Sequence, residues 1–187
     1  MKKIPYGRQN IIRSDKIIIN QALNETLITT GKFVKQFEDK SKKYLKSNYT
    51  LSCSSGTAAL HLALLGIEVK ENDNIIMPAI NFIASFNLCK TLKSKIYLAD
   101  VDPITGQMTP KNVLECIKKN NIKKVKVIIS MYLGGSPENI IEIHKLKKRY
   151  SCFLIEDACH AFGAEYRYNK KTYKVGSCKH SDVCTFS

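Results

Sequence analysis

A chain of 187 residues that is 44% hydrophobic can bury one sizeable core, which excludes wholesale disorder. No 18-residue apolar run occurs, and the opening MKKIPYGRQNII has a basic pair with no apolar stretch behind it, so a cytoplasmic chain without leader or membrane span is expected. The net charge of +14 raises nucleic acid as a partner, but only four of the 30 basic residues are arginines and the lysines are scattered over stretches such as KSKKYLK and HKLKKRY. A solvated lysine surface accounts better for that distribution, and no nucleic-acid partner is expected.

The first element in chain order is FVKQFEDKSKKYLK (33 to 46), where Phe33, Phe37, Tyr44 and Leu45 fall near helical spacing. TAALHLALLG (57 to 66) reads as a compact apolar helix closed by Gly66. A strand NIIMP (74 to 78), a helix over 82 to 92 and a strand KIYLADVD (95 to 102) follow. A helix over 110 to 119, a strand VKVIIS (125 to 130), a helix over 137 to 149 and a strand over 152 to 156 complete the pattern. Short buried strands alternating with helices imply an α/β fold, a mostly parallel sheet with crossover helices. No repeat, low-complexity tract or linker divides the chain.

Seven cysteines (53, 89, 116, 152, 159, 178 and 184) are an odd number without a Cys-x-x-Cys pair, which suits reduced core thiols. Cys159, His160, Cys178, His180 and Cys184 match no structural zinc spacing, so no metal is expected.

Parallel sheets bind ligands beyond the carboxyl ends of their strands. Three segments could serve. In LSCSSGTAALHLALLG, Ser54, Ser55, Gly56 and Thr57 open the apolar helix, where free N–H groups and the helix dipole favour an anion such as phosphate. Ser and Thr also cap helices that bind nothing. In IIMPAINFIASFN, Phe82 follows a strand end and is placed either to stack on a planar ring or to pack in the core. In SCFLIEDACHAFGAEY, a buried strand delivers Glu156 and Asp157 to its rim. Asp157 suits a carboxylate that holds a cationic ring nitrogen, with His160 three residues on, unless both acids are ordinary cap or salt-bridge residues. A phosphate cradle, an aromatic plate and an acid for a ring nitrogen are together what a protein supplies to pyridoxal phosphate.

The chain resembles the DegT/StrS family of pyridoxal-phosphate-dependent sugar aminotransferases. The matching stretches are PYGRQNI, LITTG, FVKQFE, SSGTAALHLALL, MPAINFIAS, YLADVD, LIEDACHAFGAEY and VGSCKHSDVCTFS. The resemblance implies the large domain of a fold type I transferase. It implies that Ser55, Gly56 and Thr57 bind the cofactor phosphate and that Phe82 stacks on the ring. It further implies that Asp157 pairs with the ring nitrogen, His160 approaches the ring hydroxyl and Ser187 adds a phosphate contact. Tyr6 and Thr30 fall on the substrate side.

PYGRQNI, EDACHA and VGSCKHSD look most like the branch that aminates the C4 ketone of a UDP-linked 4-keto-6-deoxy sugar toward pseudaminic-acid-type nonulosonates, with glutamate as a common donor. A homodimer is implied for full-length relatives. Residues 1 to 187 would form the N-terminal segment and most of the large domain, without the remaining strands and small C-terminal domain. Lys32 stands where the family usually has proline, and the family's Schiff-base lysine would lie five residues past Ser187. The chain alone is therefore expected to have no catalytic residue and no transaminase activity, to leave a strand edge and apolar helix faces uncovered, and to be marginally stable. A non-catalytic module holding the cofactor or a nucleotide sugar is the alternative.

Overall fold

The structure is a computed structural model that describes residues 9–187. Two helices come first, α1 (Arg13–Leu23) and α2 (Lys32–Leu45), then α3 (Gly56–Gly66), β1 (Asn74–Pro78), α4 (Ala84–Thr91) and β2 (Lys95–Ala99). They are followed by α5 (Pro110–Lys119), β3 (Val127–Met131), a short 3-10 turn (Leu133–Gly135), α6 (Ile140–Tyr150) and β4 (Phe153–Asp157). A hairpin, β5 (Glu165–Tyr168) and β6 (Lys171–Lys174), leads to β7 (Val183–Thr185).

Five strands form one sheet in the order β2-β1-β3-β4-β7, and every pairing in it is parallel. Their carboxyl ends therefore share one edge. The chain moves from β1 outward to β2 and returns across β1 to β3, so the topology reverses between β1 and β3. Ligands of such sheets bind beside that reversal.

Side-chain alternation divides the core between the two faces. Ile75 and Met77 of β1, Val127 and Ile129 of β3 and Ile155 of β4 pack with Leu60, Leu64, Ala84 and Cys89 from α3 and α4. Ile76, Ile128 and Leu154 point the other way, onto Val113, Cys116 and Ile117 of α5 and Ile143 and Leu146 of α6. A third cluster (Tyr132, Ile140, Ile141, Ala158, Ala161, Tyr166, Val175) seats the hairpin under the end of β4. His180 anchors that cluster. Tyr166 Oη lies 2.7 Å from its Nδ1, and the rings of Tyr166, Tyr168, Tyr173 and His144 surround it at 5.0 to 5.6 Å.

Several boundaries differ from the sequence expectation, three of them as follows. The helix expected from residue 82 starts at Ala84, because Asn81 Nδ2 donates to the Pro78 carbonyl at 2.8 Å and holds 79–82 as a loop. The strand expected to 102 stops at Ala99, since Asp102 Oδ1 accepts the N–H groups of Ile104 (3.0 Å) and Thr105 (2.9 Å) in a turn. The helix expected from 137 begins at Ile140.

Helix α1, the hairpin and β7 have no counterpart in the sequence reading. Helix α1 carries no buried residue, and Ile17, Ile18, Ile19 and Leu23 are exposed on it. Cys89, Cys116 and Cys152 are buried thiols, Cys53 is exposed, and Cys159, Cys178 and Cys184 are half-buried. Among the described residues no helix is long and apolar enough to cross a membrane, and no cluster of three His, Cys, Asp or Glu side chains is placed to hold a metal ion.

Candidate cofactor site

The start of α3 is fixed from two sides. Ser55 caps it, its Oγ accepting the Ala58 N–H at 3.1 Å, which leaves the N–H groups of Gly56 and Thr57 pointing out of the first turn. No acidic residue occupies that turn, so nothing there opposes an anion. Glu38 of α2 holds the preceding loop by accepting the Ser52 N–H (2.8 Å) and hydroxyl (2.9 Å), bonds that keep its carboxyl below the ordinary range.

Strand parity separates the two acids that end β4. Asp157 shares the face of Ile155, toward α3, whereas Glu156 shares that of Leu154. Both are 2% exposed. Asp157 Oδ1 accepts the Cys159 N–H at 3.3 Å, and the Cys159 thiol is pushed up to about 12 by burial and by its hydrogen bond to the same carboxyl. Glu156 instead meets the hairpin cluster. Burial raises its carboxyl above the ordinary value against the pull of Cys184, Ser181 and Tyr132, and its Oε2 closes no hydrogen bond.

That placement sets a pH dependence. A carboxyl whose folded value lies above 4.5 contributes stability that is fully present below 4.5 and lost as pH rises through the folded value. Glu156→Gln is therefore expected to raise stability at neutral pH and to flatten its decline above pH 4.5, read by thermal melts from acid to neutral pH. Equal melting curves for variant and parent would show that Glu156 carries no such penalty.

Ser187 reaches the same place through β7, whose Thr185 pairs with Asp157. The Thr185 carbonyl accepts the Ala158 N–H at 2.9 Å. Phe186 between them packs edge-on to Phe162 at 5.1 Å, and Phe162 stacks on Tyr44 of α2 at 5.5 Å. The closeness of the three segments is measured by Gly56. A Cβ there would lie 2.9 Å from Cys159 Sγ, 2.9 Å from Ser187 Cβ and 3.3 Å from Ser187 Oγ. Only glycine fits that position without displacing a neighbour.

His160 stands on the loop beyond Cys159, its Nδ1 accepting the Gly134 N–H at 3.4 Å. Gly56, Asp157 and Ser187 are thus brought together around Cys159, and His160 follows Cys159 in the chain. Phe82 lies on the exposed loop after β1, two strand positions from β4 along the same edge, about 10 Å at the usual strand spacing. Thr30 is exposed in the connection between α1 and α2, and Tyr6 lies outside the described residues. Sequence reasoning took Cys159 as a packing residue and passed over Gly134. A half-buried cysteine two residues past the acid, and a Gly-Gly pair just past a buried strand, are the signals that could have found them.

The arrangement fits a phosphorylated pyridine. Hydroxyls and free N–H groups at a helix start suit the phosphate, and a buried carboxylate next to them suits a protonated ring nitrogen. Comparison with known proteins gives the same direction. The chain is 34% identical to GDP-perosamine synthase of Escherichia coli O157:H7 over 188 aligned residues, covering 100% of this chain and 49% of that protein. It spans about half the length of this relative. Among solved structures, NtdA of Bacillus subtilis, with bound cofactor PMP, matches at 28% identity and a TM-score of 0.78, covering 94% of this chain and 38% of its own. An aminotransferase from Psychrobacter cryohalolentis matches at 26% identity and a TM-score of 0.75, covering 87% and 40%. The family and the PMP bound to NtdA indicate pyridoxal phosphate as the cofactor. With residues 10–187 matching its model, the chain belongs to the DegT/DnrJ/EryC1/StrS aminotransferase family.

Proposed function

We propose that this chain is the N-terminal segment and most of the cofactor-binding large domain of an aminotransferase that aminates the C4 ketone of a UDP-linked 4-keto-6-deoxy sugar, on a route to a pseudaminic-acid-type or surface-polysaccharide sugar. The observation that carries this reading is the convergence of Gly56, Cys159 and Ser187 within 2.9 Å of one point at the start of α3, beside the buried Asp157.

In it, Ser55, Gly56, Thr57 and Ser187 hold the phosphate, Asp157 keeps the ring nitrogen protonated, His160 faces the ring hydroxyl, and Phe82 covers one ring face. When bound, the cofactor supplies an electron sink for moving an amino group from a donor such as glutamate. Tyr6 and Thr30 are assigned to the sugar side, and a homodimer is the assembly in which full-length members would work. The attachment lysine of the family has no counterpart among residues 1–187, so this polypeptide is expected to hold the amine form of the cofactor and to turn over no substrate.

The test is a titration of the 187-residue chain with pyridoxamine phosphate, followed by calorimetry and by the absorbance of the ring. Saturable binding at one site that inorganic phosphate displaces is the expected result. A flat titration, or amination of a UDP-linked keto sugar by this chain with glutamate, would overturn the corresponding half of the proposal.

A further inference from the structure

The loops after β2, β3 and β4 are tied to one another by a glycine turn that no catalytic assignment uses. Gly134 and Gly135 both sit at positive φ, +67° and +85°, where a side chain is strained. Their turn is closed by the Gly135 N–H donating to the Tyr132 carbonyl at 2.9 Å. From the β2 side, Gln107, only 3% exposed, donates its amide to the Leu133 carbonyl at 2.7 Å, and the Leu133 side chain lies against Gly106. From the β4 side the turn meets His160 twice. The Gly134 N–H donates to Nδ1 at 3.4 Å, and a Cβ on Gly135 would lie 2.6 Å from the His160 carbonyl oxygen.

A neutral imidazole has one nitrogen with a lone pair and one with a proton, and the partner of the first decides which is which. A backbone N–H has no other state than donor. Facing Nδ1, it selects the ring form whose proton sits on Nε2, on the far side of the ring from the turn.

We infer that the Gly134–Gly135 turn, braced by Gln107, is a positioning element that holds His160 as its Nε2–H form and so presents the ring to a bound ligand as a hydrogen-bond donor toward an oxygen acceptor. The identity of that acceptor, the cofactor's ring hydroxyl oxygen, rests on the functional reading above; the form of the ring does not. Gln107 and the two glycines act through His160 and touch no ligand themselves.

The test uses nuclear magnetic resonance on the 187-residue chain with labelled histidine nitrogens, at a pH where the rings are neutral. Of the four histidines, His160 is assigned by the signals lost in His160→Gln. An unprotonated Nδ1 and a protonated Nε2 are expected in the free protein, and the Nε2 signal is expected to move when pyridoxamine phosphate is added while Nδ1 keeps its unprotonated character. Gln107→Ala, which keeps every glycine, is expected to mix the two ring forms; Gly135→Ala is expected to do so more strongly. Glutamine carries its amide near the Nε2 position and asparagine near Nδ1, so His160→Asn should bind pyridoxamine phosphate about tenfold more weakly than His160→Gln, roughly one hydrogen bond. A protonated Nδ1 in the parent, or equal affinities for the two amides, would overturn the inference. If the parent binds no pyridoxamine phosphate, the cofactor reading fails while the ring form in the free protein still decides the role of the turn.

Discussion

Gly56→Ala is expected to reduce pyridoxamine phosphate affinity by about 100-fold, near 2.7 kcal/mol, while the chain still unfolds in one transition. Alanine ordinarily strengthens a helix relative to glycine by up to about 1 kcal/mol. Here the added methyl meets Cys159 Sγ and Ser187 Cβ, each 2.9 Å away, and overpacking of that kind costs about 1–3 kcal/mol. The strain is relieved most easily by moving Ser187, which follows the three-residue strand β7, and that movement would open the proposed cradle. Gly56→Ala combined with Cys159→Ala removes one of the two obstacles and should recover about tenfold of the lost affinity, a coupling that independent sites do not show. Calorimetric titration of the parent, both single variants and the double variant measures it. Parental affinity in Gly56→Ala would disprove the cradle.

Asp157→Asn is expected to separate binding from stability. Asparagine has the same shape and keeps an oxygen for the Cys159 N–H, so the turn after β4 survives. On the proposed reading, the substitution removes the carboxylate partner of a protonated ring nitrogen, a charge-assisted hydrogen bond worth about 1.5–3 kcal/mol or 10- to 100-fold in affinity. The ligand-free variant should melt near the parental temperature, because asparagine keeps the shape of the side chain and its acceptor for the Cys159 N–H. Glu156→Gln, one residue away, should bind pyridoxamine phosphate as the parent does. Titrations and melts on the two variants side by side test the division of labour, and a loss of affinity in Glu156→Gln equal to that in Asp157→Asn would abolish it.

The opposite facing of the two acids was legible in the sequence because alternation is a local rule. Once FLIED reads as a strand, adjacent acids must face opposite sides, and the apolar runs of β1, β3 and β4 left little choice about the strand. Helix α3 was equally plain, with Ser55 before an unbroken apolar stretch. Elements whose stability is not written in their own residues escaped notice. β7 has three residues and is held by partners far away in sequence: Asp182 accepts the Leu154 N–H at 2.8 Å and pairs with Lys147 at 2.7 Å. The hairpin lacks a strong apolar alternation, since EYRY and KTYK bury chiefly Tyr166. Helix α1 buries nothing, so no core-facing stripe announced it.

The same distinction runs through the site. Gly56 and Asp157 announce themselves beside the elements they terminate. The contacts of Gly134 with His160 and of Gln107 with Leu133 span 26 residues each, and no local pattern encodes them.

The way Ser187 is carried has a thermodynamic consequence. On the proposed reading Ser187, two residues past the three-residue β7, is the last wall of the pocket, in place only once the long-range pairing of β7 with β4 closes. Local opening of that strand would release the wall without unfolding the core. Ligand and strand therefore stabilise each other reciprocally: a ligand that requires the closed wall, at 100 times its dissociation constant, holds the strand down by about 2.7 kcal/mol. On the proposed reading the cofactor would be a late structural part of the sheet as well as its guest.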